Sequence, residues 1–401
     1  MLGSSKYNGF LTITLLSSLL MLFCLPSKAS VVYADTSKAK TDTIIKKSVS
    51  EWLKEYEAQC KKFDETHQKI TGLDKQFAGL NTRRIELYKK LGDILEKYVK
   101  NNPGLEPDSL TAIGTHKPFV DHLNAVRKLS MDSIKWAQEI NVHKSLRDTL
   151  AAKKGEIGKQ LQSHFLSKVG GNQVSIGGTK YLYFISDTAK HHIDLHFWST
   201  RDSSIFSNFK KLKSHLDTVG DKKLLMLTNA GMFTPKMDPE GLYISASRDT
   251  FFELDKENPK TGENFYLMPN GVFFVDQQGR SQILGSSEWI SSKLDTSKVR
   301  CATQSGPMLL INGKPHPAFS YASSNRKIRS GVGVNSENPF RTVFLCTETE
   351  ANFMDFAEVF KYVFGCNNAL FLDGAISEMY LKGINTLPEG KFGPIISVTE
   401  K

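Results

Sequence analysis

The chain has 401 residues and a formal net charge of +10, with 40% hydrophobic, 10% aromatic and 23% charged residues. That length exceeds what one hydrophobic core usually supports, so more than one folding unit is expected, and the ordinary apolar content excludes wholesale disorder. The 5 cysteines are too few for a disulfide scaffold, and no C-x-x-C spacing points to structural zinc.

Residues 1–34 read as a signal peptide. Lys6 precedes an apolar run over 10–25, which Pro26 breaks, and small-residue cleavage patterns follow at Ser27-Lys28-Ala29 and Val32-Tyr33-Ala34. The run is shorter than the ~20 apolar residues of a spanning helix. Bulky Phe23 before Cys24 argues against lipidation. The expectation is an exported protein, periplasmic or secreted, for which nucleic acid is not a partner. Export permits disulfides. Cys346 ends one apolar run and Cys366 precedes another, so a Cys346–Cys366 bridge is a hypothesis for the structure to test.

Residues 35–169 form a helical arm. Apolar residues recur at helical spacing from Trp52 through Tyr56, Phe63, Ile70 and Leu91 to Tyr98, and again from Phe119 to Phe165. The breaker at 101–107 separates the two stretches, which predicts an antiparallel hairpin of long helices. Gly72, Gly79 and Gly155 are candidate kinks or breaks. Residues 35–168 carry 25 Lys/Arg against 18 Asp/Glu, so most of the positive charge lies here. The plain reading is a solvated helix face; the sharper one is attraction to an acidic envelope polymer or lipid. The arm holds no cluster of catalytic residue types and reads as a spacer, or as a surface for self-association or an envelope partner.

A glycine-rich stretch at 170–178 marks the boundary, and the pattern changes to short strands over 170–401. Strands are predicted at 180–185, 192–198, 224–228, 272–275, 308–311, 343–346 and 369–372. One helix is predicted over 352–364, carried by Phe353, Phe356, Phe360 and Phe364 and ended by Gly365. Strands with few intervening helices indicate an α+β fold, with a mixed sheet in the C-terminal domain.

No nucleophile elbow, zinc-protease motif, P-loop or dinucleotide fingerprint is present, so no cofactor is expected. His192 and His196 share a strand face about 13 Å apart, too far to hold one metal, and no metal site is assigned. What stands out is a series of glycine-polar turns placed after apolar strands: NAGMF at 229–233, QSGPMLLING at 304–313, RSGVGV at 329–334 and NALFLDGAISEMY at 368–380. Rigid strands can make such turns converge on one cleft.

Together these strings, in this order across 180–398, resemble the phosphodiester glycosidase family. The resemblance implies a hydrolase that cleaves a sugar from a glycosyl-1-phosphodiester, acting here on an envelope phosphodiester or polysaccharide. Animal members carry glycines after the last Asp-Gly, whereas this chain has Asp373-Gly374-Ala375-Ile376-Ser377, which changes what the loop admits.

Such a reaction expels a phosphate monoester, a good leaving group, so it needs a cation on the phosphate and a carboxylate near the oxocarbenium-like centre. Arg329, with its planar fork, is the choice for the phosphate, and Arg326 the reserve. Asp373, at a strand end, is the candidate nucleophile or general base, and Glu348 its partner carboxylate. Asn229, Gln304, Ser305 and Ser377 are placed on sugar hydroxyls or phosphate, while Gly231, Gly306, Gly331 and Gly374 let the backbone approach the ligand. Each has a plainer reading as turn chemistry, a cap or a salt bridge. Two other functions stay open: a non-catalytic carbohydrate-binding or assembly protein using the same cleft, and a metal-dependent phosphodiesterase using Asp373, Asp238 and Glu240.

Overall fold

A computed structural model describes residues 47–102, 114–219, 223–247, 250–256, 265–335, 337–373 and 376–401. The signal-peptide segment, most of the 101–107 breaker and Gly374 lie outside the described residues.

Helices α1 (Val49–Asn101) and α2 (Lys117–Phe165) coincide with the two periodic stretches. A capping box starts α1. Ser48 and Glu51 exchange bonds, with the Glu51 carboxylate 2.6 Å from the Ser48 amide and the Ser48 hydroxyl accepting from the Glu51 amide at 3.3 Å. Both helices run unbroken through Gly72, Gly79 and Gly155. A helical glycine costs only about 1 kcal/mol against alanine, less than a long apolar stripe regains by packing.

Contacts divide the described residues into two compact units. The first, residues 66–147, pairs the distal parts of α1 and α2; it buries Ile70, Leu73, Leu91, Val126 and Ile140 and places Lys69 3.7 Å from Glu139. The second, residues 47–65 and 148–401, joins the remaining helix ends to the β-rich region.

That second unit is α+β, as expected, and the ladders between its described strands run antiparallel. The main sheet contains β1 (Gly170–Ile176), β2 (Thr179–Asp187), β12 (Met308–Ile311), β13 (Lys314–Pro315), β14 (Ser330–Asn335), β15 (Asn338–Thr347) and β16 (Asn368–Phe371). Their order across it is β1-β2-β15-β14-β16-β12-β13. A second sheet has β7 (Tyr243–Ile244), β8 (Phe251–Phe252), β9 (Gly271–Asp276), β10 (Ser281–Gly285) and β11 (Val299–Ser305), in the order β10-β9-β11-β7-β8. A third has β3 (His191–His196), β6 (Leu224–Asn229), β17 (Met379–Leu381) and β18 (Ile395–Glu400), in the order β17-β6-β18-β3, and β4 (Trp198–Ser199) pairs β5 (Ser204–Ile205). Helices α3 (Phe209–Val219), α4 (Ser286–Ser292) and α5 (Phe353–Glu358) complete the unit.

The glycine-rich stretch is more than a boundary. It forms β1 and, through Gly177 and Gly178 with φ of 59° and 76°, the two-residue turn into β2, a geometry that favours glycine.

The main sheet is buried on both faces. Leu182 and Phe184 of β2, Val332 and Val334 of β14 and Phe344 of β15 face a core shared with Ile193, Met226, Phe273 and Val275. Tyr181, Tyr183, Ile185, Val343 and Leu345 face the opposite way, against Tyr56, Ile157, Leu161 and Phe165 of the helix ends and Phe356 and Phe360. Double burial explains the continuous apolar runs. Asn352 caps α5, its side chain accepting from the Asp355 amide at 2.8 Å. The helix continues as a π turn, Val359–Val363, and Gly365 ends it at φ 65°.

This two-faced sheet overturns the proposed disulfide. Cys346 lies in the core on one face and Cys366 in the core on the other, and neither is bridged. Burial pushes both thiols well above their ordinary range. Intact mass after denaturing alkylation is therefore expected to show no Cys346–Cys366 crosslink, whether or not reductant is added first.

The glycines of RSGVGV are packing residues. A Cβ on Gly333 would lie 2.5 Å from Phe360 and 2.7 Å from the Cys366 sulfur. Gly333→Ala is expected to destabilise the β unit by ~1–3 kcal/mol through overpacking, read as a lower urea midpoint at unchanged slope; a wild-type midpoint would refute this account.

Candidate active site

Antiparallel pairing places the starts of β12 and β14 beside the ends of β15 and β16. Ser330 pairs with Cys346, Gly331 with Phe371 and Met308 with Leu370. The turns flanking these residues therefore gather at one edge of the main sheet. A cavity of about 240 Å³ opens there. Gly306, Pro307 and Phe371 form its sheet side; Asn325, Lys327 and Arg329 come from the segment before β14; Phe353 comes from the first turn of α5. Met232, Phe265, Tyr266 and Leu267 complete the lining.

Arg329 is the centre of this site. It is only 2% exposed, yet it lines the cavity. Its Nε donates to the Ala351 carbonyl at 2.7 Å and its Nη2 to the Asn325 carbonyl at 2.9 Å. The guanidinium carbon lies 3.7 Å over the Phe353 ring and 5.6 Å from that of Phe371. Among the described residues it forms no ion pair, and Nη1 donates no hydrogen bond. Burial, with a smaller contribution from the nearby Arg326 charge, pushes its pKa down to about 10. It stays charged at neutral pH, held by neutral carbonyls and ring faces.

Arg326 is committed elsewhere. Its Nη1 lies 3.0 Å from Asp355 and its Nη2 donates to the Glu350 carbonyl at 3.0 Å, so it secures α5 and does not line the cavity. Asp373 is buried one residue beyond Leu372, whose amide extends the ladder to the Ser330 carbonyl at 3.1 Å. Arg329 and Asp373 thus sit at the same end of adjacent strands. The hydroxyl of Ser377 donates to the Asp373 carbonyl and lies 3.2 Å from that of Ser330. Ser305 donates to the Leu372 carbonyl and ties β11 to that same strand end.

Several expected ligand contacts are structural in this geometry. Gln304 is fully buried: its Oε1 accepts from the amides of Leu242 at 3.0 Å and Asp255 at 2.9 Å, and its Nε2 donates to the Asp255 carbonyl at 3.0 Å. It clamps two loops and does not line the cavity. Asn229 is buried and accepts from the Glu378 amide at 3.3 Å. Gly231 is set by crowding, since a Cβ there would lie 2.1 Å from the Gln304 carbonyl, and Gly331 lies under Phe356 and Phe360. Gly306 lines the cavity as expected. Glu348 is not brought to the site. It is exposed, accepts from Gln173 of β1, and its amide bonds Lys180 of β2, on the side of β15 away from β14.

Two side chains are not singled out by the sequence. Lys327 lines the cavity with Asn325 and Arg329, and their alternate spacing is the period-two signature of an extended segment. Paired bonds between Lys327 and Ala351, at 3.1 and 2.9 Å, fix that conformation. Glu378 follows Ser377 directly and precedes β17. It is half-buried, burial holds its carboxyl above the ordinary range, and the opposing influence is the Gly390 amide, 3.0 Å from Oε2. An acid within the apolar 376–381 run was the available signal.

The arrangement is a pocket with aromatic and aliphatic walls and, among the described residues, two cations and no carboxylate on its lining. Comparison with known proteins agrees with the motif reading. A family model described as phosphodiester glycosidase matches residues 222–395, which includes the cavity-lining residues. The uncharacterized protein YigE of Escherichia coli (strain K12) is 33% identical over 190 residues, 47% of this chain and 69% of the relative. Helices α1 to α3 and strands β1 to β5 precede the family-matched residues. By both likenesses the chain belongs to the phosphodiester glycosidase family.

Proposed function

We propose that the protein is an exported hydrolase that cleaves a sugar from a glycosyl-1-phosphodiester in the cell envelope. Family membership supports the general hydrolytic class. The observation that carries the finer reading is Arg329: among the described residues, this buried guanidinium has no carboxylate partner and lines a pocket with no acid on its lining. A buried cation is costly until an anion pairs it. The planar fork and neighbouring Lys327 suit phosphate oxygens, and the aromatic walls suit the apolar faces of a sugar.

In this reading the phosphate oxygens take the free Nη1 of Arg329, which holds the charge that develops as the glycosidic bond breaks. Asp373, at the adjacent strand end, attacks the anomeric carbon or activates water toward it. Glu378 replaces Glu348 as the second carboxyl group, its raised pKa suiting a proton donor. A non-catalytic carbohydrate-binding protein is the second reading, favoured by the lack of a carboxylate among the described residues of the cavity lining.

The test is hydrolysis of UDP-N-acetylglucosamine and a panel of glycosyl-1-phosphodiesters, following free sugar and phosphate monoester by mass spectrometry. Wild type is expected to release free sugar. Arg329→Lys is expected to lower kcat/KM by roughly 10²–10³, and Asp373→Ala to abolish turnover with an unchanged circular-dichroism spectrum. Intact substrates that still bind saturably would favour the binding-protein reading.

Burial favours the protonated form of Glu378, so its proton is kept to higher pH than usual and lost as pH rises through the raised value. Activity should therefore decline on the alkaline side, and Glu378→Gln should remove that limb while lowering the rate by ~10²–10⁴. A pH profile identical to wild type would rule Glu378 out as the donor.

A further inference from the structure

Lys154, on α2, is buried to 1% exposure, where a lysine is rarely found without a partner. Its ammonium lies 2.5 Å from Oε2 of Glu358, the last residue of α5. It also lies over four aromatic rings, with centroids at 4.7 Å for Phe63, 5.2 Å for Tyr362, 5.7 Å for Tyr321 and 5.9 Å for Tyr56. Burial, the largest single influence, works against the charged form, but Glu358 together with Cys60 and Tyr362 outweighs it and the net shift is upward. The second oxygen of Glu358 accepts from the Tyr321 hydroxyl, and the Tyr321 ring packs 4.9 Å from that of Phe63 on α1.

Tyr321 belongs to segment 316–329, which also supplies Asn325, Lys327 and Arg329 to the cavity. The segment is held at its start by His316, whose Nε2 lies 2.7 Å from the Met268 carbonyl, and near its end by Arg326 on Asp355. Between these ties, the hydroxyl of Tyr321 makes the polar link to Glu358 and Lys154. Taking an ammonium and a carboxylate out of water is costly, and an apolar pair of similar volume is often as stable. What an ion pair adds is geometry, because a charged acceptor fixes its donor in one place. The α2 backbone is equally committed: a Cβ on Gly158 would lie 2.7 Å from the Tyr362 carbonyl, and the Gln162 amide donates to that carbonyl at 2.9 Å.

We propose that Lys154 is a positioning residue for the phosphate-binding cations: through Glu358 and Tyr321 it sets segment 316–329, making the helix ends outside the family-matched region part of the hydrolase site. The proposal rests on the reading of the cavity as a phosphate site. Its test uses the full chain, with inorganic phosphate titrated by calorimetry and backbone exchange followed by mass spectrometry, in Lys154→Met, Tyr321→Phe and the double variant. Each single change is expected to raise the phosphate Kd about tenfold, and the double no further, because both break one relay. Exchange should rise over 316–329 while the amides of β2 and β15 keep wild-type protection.

A merely structural Lys154 would leave Tyr321→Phe binding phosphate like wild type, and that result, or additive losses in the double variant, overturns the proposal. If Lys154→Met fails to fold, Tyr321→Phe decides by itself. If wild type and Arg329→Ala bind phosphate equally, the phosphate-site reading falls instead. The positional link is then judged by exchange alone: faster exchange confined to 316–329 supports it, and unchanged exchange overturns it.

Discussion

A guanidinium removed from water needs polar and aromatic partners, and those of Arg329 organise this end of the molecule. Two carbonyls, from Ala351 and Asn325, take its Nε and Nη2, and the Phe353 ring lies against it. Those partners dictate local structure. Ala351 is held by reciprocal backbone bonds to Lys327, Asn352 must then cap α5, and Phe353 must open that helix. The turn from β15 into α5 and the segment entering β14 are thus tied together by one cation that also lines the cavity. Neutral partners keep it charged without neutralising it.

The parts of this fold that are legible in the sequence share one property: a single period with one reason behind it. The three- and four-residue spacing of α1 and α2 has no competing explanation. Strand 308–311 is legible to its observed bounds because it is short, apolar and closed by asparagine and glycine, a pattern with few other fates. Strand β1 is hidden because glycine usually signals a turn. Helix α3 is hidden too, although Phe209 and Leu212 are fully buried, since its lysines mask a short apolar stripe.

At the site, residue type is a better guide than residue role. Arg329, Gly306 and the Asp373 strand end belong together, as their motifs suggest, because antiparallel register follows from the order of the strands. The amides Gln304 and Asn229 look like ligand contacts, yet each turn has its own unpaired backbone N–H groups and takes the nearest side-chain oxygen first. Glu348 shows the converse: proximity to a strand end does not say which side of the strand the chain turns toward. Neither choice is encoded locally; both depend on neighbours distant in sequence.

That dependence on distant neighbours extends to how the sheet is assembled. Strand β2 has β15 as its inner partner, and β3 has β18, in each case across most of the β unit's sequence. Ribosomal synthesis therefore presents the run Tyr181–Ile185, apolar on both faces, after the helix ends that cover one face but long before β15 and most of the core on the other face exist. Closing loops of this size is slow, and unpaired apolar strands invite wrong pairing meanwhile. The β1–β2 hairpin, with its local glycine turn, is the one piece of this edge that can form early and shield β2 along one side until β15 arrives.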